Sequence, residues 1–208
     1  MNTERREGDP VGAARKNRNG FGCMKKLVLF NGSPRMDGNI ATLLNVISRG
    51  AQDAGAEVKT YTLFKMKFMA CQSCFKCRIG TGACAVNDEI TSALEVVKSA
   101  DAVVIGSPIF MMQMTGPVKN LYDRLFPLMD TEFKPRYGTK KMATVYSQGM
   151  DDPHAYDSYF EYTAAMFPSF GFDCIGNLVC TNANDPESAE RNAELKIQAY
   201  ELGKALVR

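Results

Sequence analysis

The sequence predicts an open three-layer α/β/α sandwich built on a parallel sheet of five strands. Two observations carry this. Strand-like apolar runs at 27–31, 57–62, 102–107, 142–147 and 174–180 alternate with stretches of helical periodicity, and that alternation builds parallel sheets with helices on both faces. The run at 102–107, Ala-Val-Val-Ile-Gly-Ser, is apolar without alternation, as a strand covered on both sides requires. Ligands of such sheets sit at the carboxyl ends of the strands, where the strand order switches. The loops that follow the strands therefore carry the functional reading.

The first strand runs into Asn-Gly-Ser-Pro-Arg-Met-Asp-Gly-Asn, and a helix follows whose apolar positions Ile40, Leu43, Leu44 and Ile47 share one face. A helix N-terminus presents unpaired N–H groups and the positive end of the dipole, so this loop is suited to an anion. It has no Gly-Lys-Ser/Thr ending and no G-x-G-x-x-G pattern, which argues against a nucleoside triphosphate and a dinucleotide pyrophosphate. One arginine with hydroxyl and amide donors suits a single terminal phosphate, such as that of a mononucleotide. The third strand opens into Ser107-Pro108-Ile109-Phe110-Met111-Met112-Gln113-Met114-Thr115-Gly116. Pro108 is expected to fix a turn there, and Phe110 and the methionines offer soft apolar cover for a flat ring. Thr115 is placed to cap the next helix, with its face at Val118, Leu121, Tyr122, Leu125 and Phe126. The fourth strand ends in Ser147-Gln148-Gly149, which supplies small polar groups and backbone donors. Of the remaining helices, one is capped by Asn87 with Asp88 and Glu89 in its first turn. Another covers roughly 155–167, and the last starts at Asp185-Pro186-Glu187.

At 208 residues the chain is long enough for one domain with a full core. The segment 1–23 is polar and glycine-rich, with Arg5, Arg6, Arg15, Lys16 and Arg18 against Glu4, Glu7 and Asp9. It reads as a disordered tail ahead of a domain at 24–208, with Met24 directly before the first strand. The tail carries the whole net charge of +2, so the domain is neutral; no basic footprint marks it for nucleic acid. No run approaches the ~20 apolar residues of a membrane span, and the tail lacks the apolar centre of a secretion signal. The single histidine, His154, precedes a helix and reads as a surface residue.

Seven cysteines without a secretion signal point to a reducing, cytoplasmic setting. Four of them, Cys71, Cys74, Cys77 and Cys84, are spaced C-x2-C-x2-C-x6-C, with Gly80 and Gly82 able to turn the chain back. Such thiolate density suits a soft metal centre. The first three match the spacing that wraps one face of a [4Fe–4S] cubane, so a cluster, redox-active thiols and zinc all stand as readings. Cys23 reads as a tail thiol, and Cys174 and Cys180 as buried strand residues.

Together these motifs resemble the flavodoxin-like NAD(P)H-dependent FMN reductase family. The resemblance rests on Gly32-Ser33-Pro34-Arg35 with Gly38-Asn39, and on Gly106-Ser107-Pro108-Ile109-Phe110 with Thr115-Gly116, Lys119 and Asp123-Arg124. The cysteine segment is similar to that of the iron–sulfur flavoproteins, a branch of the same fold family. By this resemblance Ser33, Arg35 and Asn39 hold the FMN phosphate, with Gly38 and the backbone N–H of Ile40 completing the loop. Pro108, Ile109, Phe110 and Met111 line the isoalloxazine, and Ser147, Gln148 and Gly149 meet its other edge. Ile40 stands where the family usually has Thr or Ser, and Phe110 where it often has Tyr, which implies altered affinity or potential. The resemblance implies a cytoplasmic, homo-oligomeric flavin-dependent oxidoreductase, a dimer or tetramer. NAD(P)H would be a donor, and a small molecule or a ferredoxin the redox partner. Two other readings stay open: an electron carrier working with ferredoxin, and a thiol- or metal-sensing module without turnover.

Overall fold

The computed structural model describes residues 24–80 and 82–208; the expected tail, 1–23, lies outside the described residues. In chain order the elements are β1 (Lys26–Asn31), α1 (Asn39–Asp53), β2 (Glu57–Thr62), α2 (Glu89–Lys98), β3 (Ala102–Phe110), β4 (Gln113–Met114), α3 (Gly116–Asp123), β5 (Lys140–Ser147), α4 (Asp157–Ala164), β6 (Phe172–Cys180), α5 (Ser188–Arg191) and α6 (Ala193–Val207). Five strands pair in parallel in the order β2-β1-β3-β5-β6. The chain adds β2 on one side of β1 and then crosses to β3 on the other, so the switch point lies between β1 and β3.

Alternating residues of the strands feed two separate cores. Val28, Phe30, Val103, Ile105 and Met142 pack with Ile90, Leu94 and Val97 of α2 and with Val118 and Leu121 of α3. Leu27, Leu29, Val104, Ala143 and Val145 pack with Leu43 and Ile47 of α1 and with Ala199 and Leu206 of α6. This two-sided burial is why the strands read as apolar runs rather than as alternating patterns. Helices α1 and α6 touch backbone to backbone: a Cβ on Gly50 would meet the Tyr200 carbonyl at 2.1 Å, and one on Gly203 the Ile47 carbonyl at 2.1 Å.

The structure corrects several expectations. A sixth strand, β4, pairs antiparallel with the end of β3. Pro108 does not make a turn; it continues β3 and pairs with Ser147 of β5. The turn falls instead at Met111 and Met112, both in the left-handed region at φ 46° and 70°. That geometry matches the twist of a two-residue hairpin. Asp88, not Asn87, caps α2, accepting a hydrogen bond from Thr91 N–H at 3.0 Å. Asp185-Pro186-Glu187 precedes only the short α5, and Asn192 caps the long α6 by accepting from Leu195 N–H. The helix expected over 155–167 covers Asp157–Ala164. Cys174 is exposed, because β6 is an edge strand whose residues 173–175 face solvent; Cys180 is buried as expected.

A Cβ on Gly32 would sit 2.0 Å from Val118 Cγ2 and 2.8 Å from the Gly106 carbonyl, whereas one on Gly116 meets nothing within 4 Å. Gly32→Ala is expected to destabilise the fold by about 1–3 kcal/mol through overpacking, lowering Tm by several degrees. Gly116→Ala, at the start of α3, is expected to leave Tm unchanged or raised. Thermal denaturation of the two variants checks the contrast.

Candidate cofactor site

At the carboxyl edge of the sheet the three expected loops converge on one cleft. Ser33, Arg35, Asn39, Ile40, Pro108, Ile109, Phe110, Ser147, Gln148 and Gly149 all line it, and they are joined by Ala183 and Asn184 from the loop after β6. No motif pointed to these last two.

The loop between β1 and α1 is held by its own polar groups. Ser33 N–H donates to Asn31 Oδ1 at 2.9 Å, and Arg35 N–H donates to Ser33 Oγ at 3.1 Å. The Ser33 hydroxyl proton therefore remains available to a ligand. The first bond of α1 runs from Thr42 N–H to Gly38 O. The N–H groups of Asn39, Ile40 and Ala41 thus precede it at the open end of the helix, where an anion is favoured. Gly38 occupies the N-cap position and lies under the aliphatic stem of Arg35, so it shapes the loop without lining the cleft.

Asn39 offers its backbone rather than its side chain. Its amide donates to Asp185 O at 2.8 Å and Ala183 O at 3.3 Å, and its carbonyl accepts from Ala189 N–H at 2.8 Å. These bonds bring the 183–189 segment to the cleft and explain why Ala183 and Asn184 stand there.

Phe110 is half exposed at the rim, and Met111, 93% exposed, sits at the apex of the hairpin outside the cleft. Helix α4 supports the hairpin, with Tyr159 Oη accepting from Met114 N–H at 2.9 Å and Tyr156 Oη contacting Met112 Sδ at 3.3 Å. On the opposite wall Gln148 is buried. Its N–H donates to Cys180 O at 2.9 Å and its Nε2 to Asp152 O at 2.7 Å. That second bond fixes the amide orientation and leaves Gln148 Oε1 buried without a partner among the described residues. A buried acceptor left unpaired costs about 1–3 kcal/mol.

The four clustered cysteines lie in the loop between β2 and α2. Cys71 and Cys74 are exposed, and Cys77 and Cys84 partly buried. Ser73 and Phe75, at φ 50° and 55°, coil the chain between the first three. Cys71 and Cys77 open onto a depression shared with Ser73, Phe75, Asp123 and Phe126. Burial, and then the charges of Cys84, Cys71 and Cys74, push the Cys77 thiol up from its usual range. Among the described residues, however, no group of three or more metal donors stands close enough to hold an ion. No helix among them is long and apolar enough to cross a membrane.

A parallel sheet with helices on both faces and a cleft of three strand-end loops at its switch point is the flavodoxin-type α/β arrangement. The chain belongs to the NADPH-dependent FMN reductase family, whose model matches residues 25–158. Among curated proteins it is 38% identical over 99 residues to an iron–sulfur flavoprotein of Archaeoglobus fulgidus, covering 48% of each chain. It is 29% identical over 103 residues to one of Methanocaldococcus jannaschii, covering 50% of this chain and 53% of that one. The chain thus spans about half the length of the curated relatives it matches. The fold is similar to an NAD(P)H:quinone oxidoreductase from Methanothermobacter marburgensis, with TM-score 0.71, 14% identity, and 88% of this chain and 100% of that one covered. It is also similar to an FMN-dependent NADH-azoreductase from Bacillus anthracis solved with FMN, with TM-score 0.67, 14% identity and the same coverage.

The cysteine loop joins the rest of the domain through the Asp88–Arg124 ion pair, at 2.8 Å with both side chains buried. Burial pushes the Asp88 carboxyl up, but hydrogen bonds from Arg124 and from the N–H groups of Met69 and Thr91 outweigh it and hold the pKa at about 2. A depressed folded-state pKa adds stability that is fully present above the ordinary value of 3.8 and is lost as pH falls toward about 2. The wild type is therefore expected to lose stability between about pH 4 and pH 2 more steeply than Asp88→Asn. Denaturant midpoints measured across that window check the difference.

Proposed function

We propose that the protein is an FMN-dependent oxidoreductase of the NAD(P)H-dependent FMN reductase type. The observation that carries the reading is the convergence of three strand-end loops on one cleft, with the open N-terminus of α1 at its end. The residues present fit the group. Ser33 Oγ, the Arg35 guanidinium and the leading N–H groups of α1 supply donors for a phosphate. Pro108, Ile109 and Phe110 supply an apolar wall for a flat ring.

FMN, when bound, accepts two electrons as a hydride and returns them singly or as a pair. The chain's residues bind, orient and tune; none needs to act as a nucleophile. Arg35 and the helix dipole hold the phosphate charge. The buried wall from Ser147 to Gln148 excludes water from one side, and the half-exposed Phe110 leaves the rim open to a donor or acceptor. NAD(P)H is the donor on this reading, by kinship with the family.

The cysteine loop favours an electron-transfer role beside the reductase. Four closely spaced thiols are the donor type that a [4Fe–4S] cluster takes, and curated relatives bear the name iron–sulfur flavoprotein. Cys71, Cys74, Cys77 and Cys84 would be its ligands, although among the described residues they do not stand close enough together to hold an ion. A ferredoxin or a small molecule would then exchange electrons with the pair of centres. A thiol- or metal-sensing module without turnover is the remaining reading; it requires a colourless protein that takes up no flavin.

Charge-assisted hydrogen bonds contribute roughly 1.5–3 kcal/mol each. Arg35→Ala is therefore expected to weaken FMN binding about tenfold or more, with riboflavin, which lacks the phosphate, little affected. Fluorescence titration of both ligands checks this, and equal weakening of the two would remove Arg35 from the phosphate site. After anaerobic reconstitution, Ser at position 71, 74, 77 or 84 is expected to deplete iron and sulfide, while Cys174→Ser retains them. All five variants are expected to keep FMN. Iron and sulfide analysis checks the set, and a wild type that takes up neither would end the cluster reading without touching the flavin one.

A further inference from the structure

The cleft has a fourth loop that no sequence motif announced, the one between β6 and α5. Its backbone runs on beside the loop after β5. Gln148 N–H donates to the Cys180 carbonyl, Ala183 N–H to the Gln148 carbonyl and Asn182 N–H to the Met150 carbonyl, each at 2.9 Å. Asn182 bends the chain in the left-handed region at φ 51°, and the Ser188 hydroxyl donates to the Asn182 carbonyl at 2.8 Å.

Asn184 is the residue that this loop presents. Asn39, the first residue of α1, donates its amide to the carbonyls on either side of it, Ala183 O at 3.3 Å and Asp185 O at 2.8 Å. The Asn184 amide itself lies over Gly149: a Cβ built on that glycine would meet Asn184 Oδ1 at 2.9 Å and Nδ2 at 3.0 Å. Gly149 and Asn184 both line the cleft. Asn184 is exposed, and its amide makes no hydrogen bond among the described residues. The fold thus places this side chain without using its polar atoms. Held to the start of α1 on one side and lying on Gly149 on the other, residue 184 stands between the anion end of the cleft and the wall that ends at Gly149.

The chemistry of a mononucleotide flavin says which of its parts suits that position. A phosphate takes donors only, and Ser33, Arg35 and the leading N–H groups of α1 already offer them. A flat ring takes apolar cover, which Pro108, Ile109 and Phe110 offer. The link between phosphate and ring is a chain of hydroxyls, and each hydroxyl both donates and accepts. A carboxamide, with two N–H donors and a carbonyl acceptor, matches a hydroxyl on both counts.

We propose that Asn184 is a further cofactor-binding residue, that its amide serves the ribityl hydroxyls, and that Asn39 is the positioning residue that presents it. This rests on the flavin reading of the cleft. Recognition is then divided along the ligand: Arg35 answers to the phosphate and Asn184 to the ribityl chain.

The test uses the full chain stripped of flavin, with FMN, riboflavin and lumiflavin as probes and fluorescence titration as the readout. Lumiflavin carries a methyl group in place of the ribityl chain. Asn184→Ala removes no hydrogen bond from the fold, so its Tm is expected to match that of wild type. It is expected to weaken FMN and riboflavin by the same factor, about three- to tenfold for a lost neutral hydrogen bond, and to leave lumiflavin unchanged. Asn39→Ala is expected to weaken riboflavin in the wild-type background and to add little in the Asn184→Ala background, because the bonds it removes act on binding through residue 184. The same loss in both backgrounds would return Asn39 to a purely structural role and overturn that half of the inference. If Asn39→Ala does not fold, the three-ligand comparison on Asn184→Ala decides. Weakening of FMN alone would move Asn184 to the phosphate, equal weakening of all three ligands would move it to the ring, and unchanged affinities would leave it outside the site. Each of these overturns the inference alone; a wild type that binds none of the three overturns it together with the flavin reading.

Discussion

The hydrogen bond from Gly32 N–H to the Gly106 carbonyl, 2.8 Å long, sets the position of nearly everything that follows. It joins the carboxyl ends of β1 and β3 at the switch point. Thr115 Oγ1 donates to the Gly32 carbonyl at 2.8 Å, and Thr115 N–H donates to Ser107 Oγ at 3.0 Å. The start of α3 is thereby tied to both strands, and Val118 fills the space above Gly32. No side chain fits at position 32 or 106: a Cβ on Gly106 would meet Ile40 Cγ2 at 2.7 Å. The loop after β1 and the loop after β3 are thus held at one spacing by backbone contact, which gives way far less than side-chain packing does.

From that fixed point a single stretch of chain reaches both chemical regions. Pro108, Ile109 and Phe110 stand in the cleft, Asp123 and Phe126 line the depression shared with Cys71 and Cys77, and Arg124 holds the neck of the cysteine loop. Any displacement of α3 is felt at the ring wall and at the thiols together. A second clasp holds the far side of the cysteine loop. Arg136 donates to the carbonyls of Arg78 at 2.7 Å and Gly80 at 3.1 Å, and the Arg78 guanidinium lies 4.0 Å from the ring centre of Phe133. The thiols are here carried on a loop anchored by arginines at both ends, the buried Arg124 and the half-buried Arg136.

Much of this was legible in the sequence, for physical reasons that differ by element. The strands stood out because both faces are buried, and the phosphate loop because its small, polar residues sit between a strand and an amphipathic helix. Ten residues expected at the cofactor site do line the cleft. Met111 does not, since the usual Asn-Gly or Gly-Gly signal of a tight hairpin is replaced by Met111-Met112, which reads as apolar cover. Asn39 looked like a phosphate ligand. That its amide is spent on Ala183, Asp185 and Ala189, some 150 positions away, is a tertiary fact that no local pattern carries. Thr115 sits at the expected N-cap position, yet its hydroxyl serves Gly32 instead of the helix. Arg124 entered the sequence reading only as part of the Asp123-Arg124 pair that resembles the family; its burial follows only once Asp88 arrives from the loop before α2.

The flavin carried by the protein after anaerobic purification tests the cofactor site most directly. Heat-released chromophore, separated by chromatography, is expected to be FMN in stoichiometric amount, and the stripped protein is expected to regain its visible spectrum with FMN. Release of FAD instead, or a protein that neither carries nor takes up FMN, would contradict the assignment of the cleft.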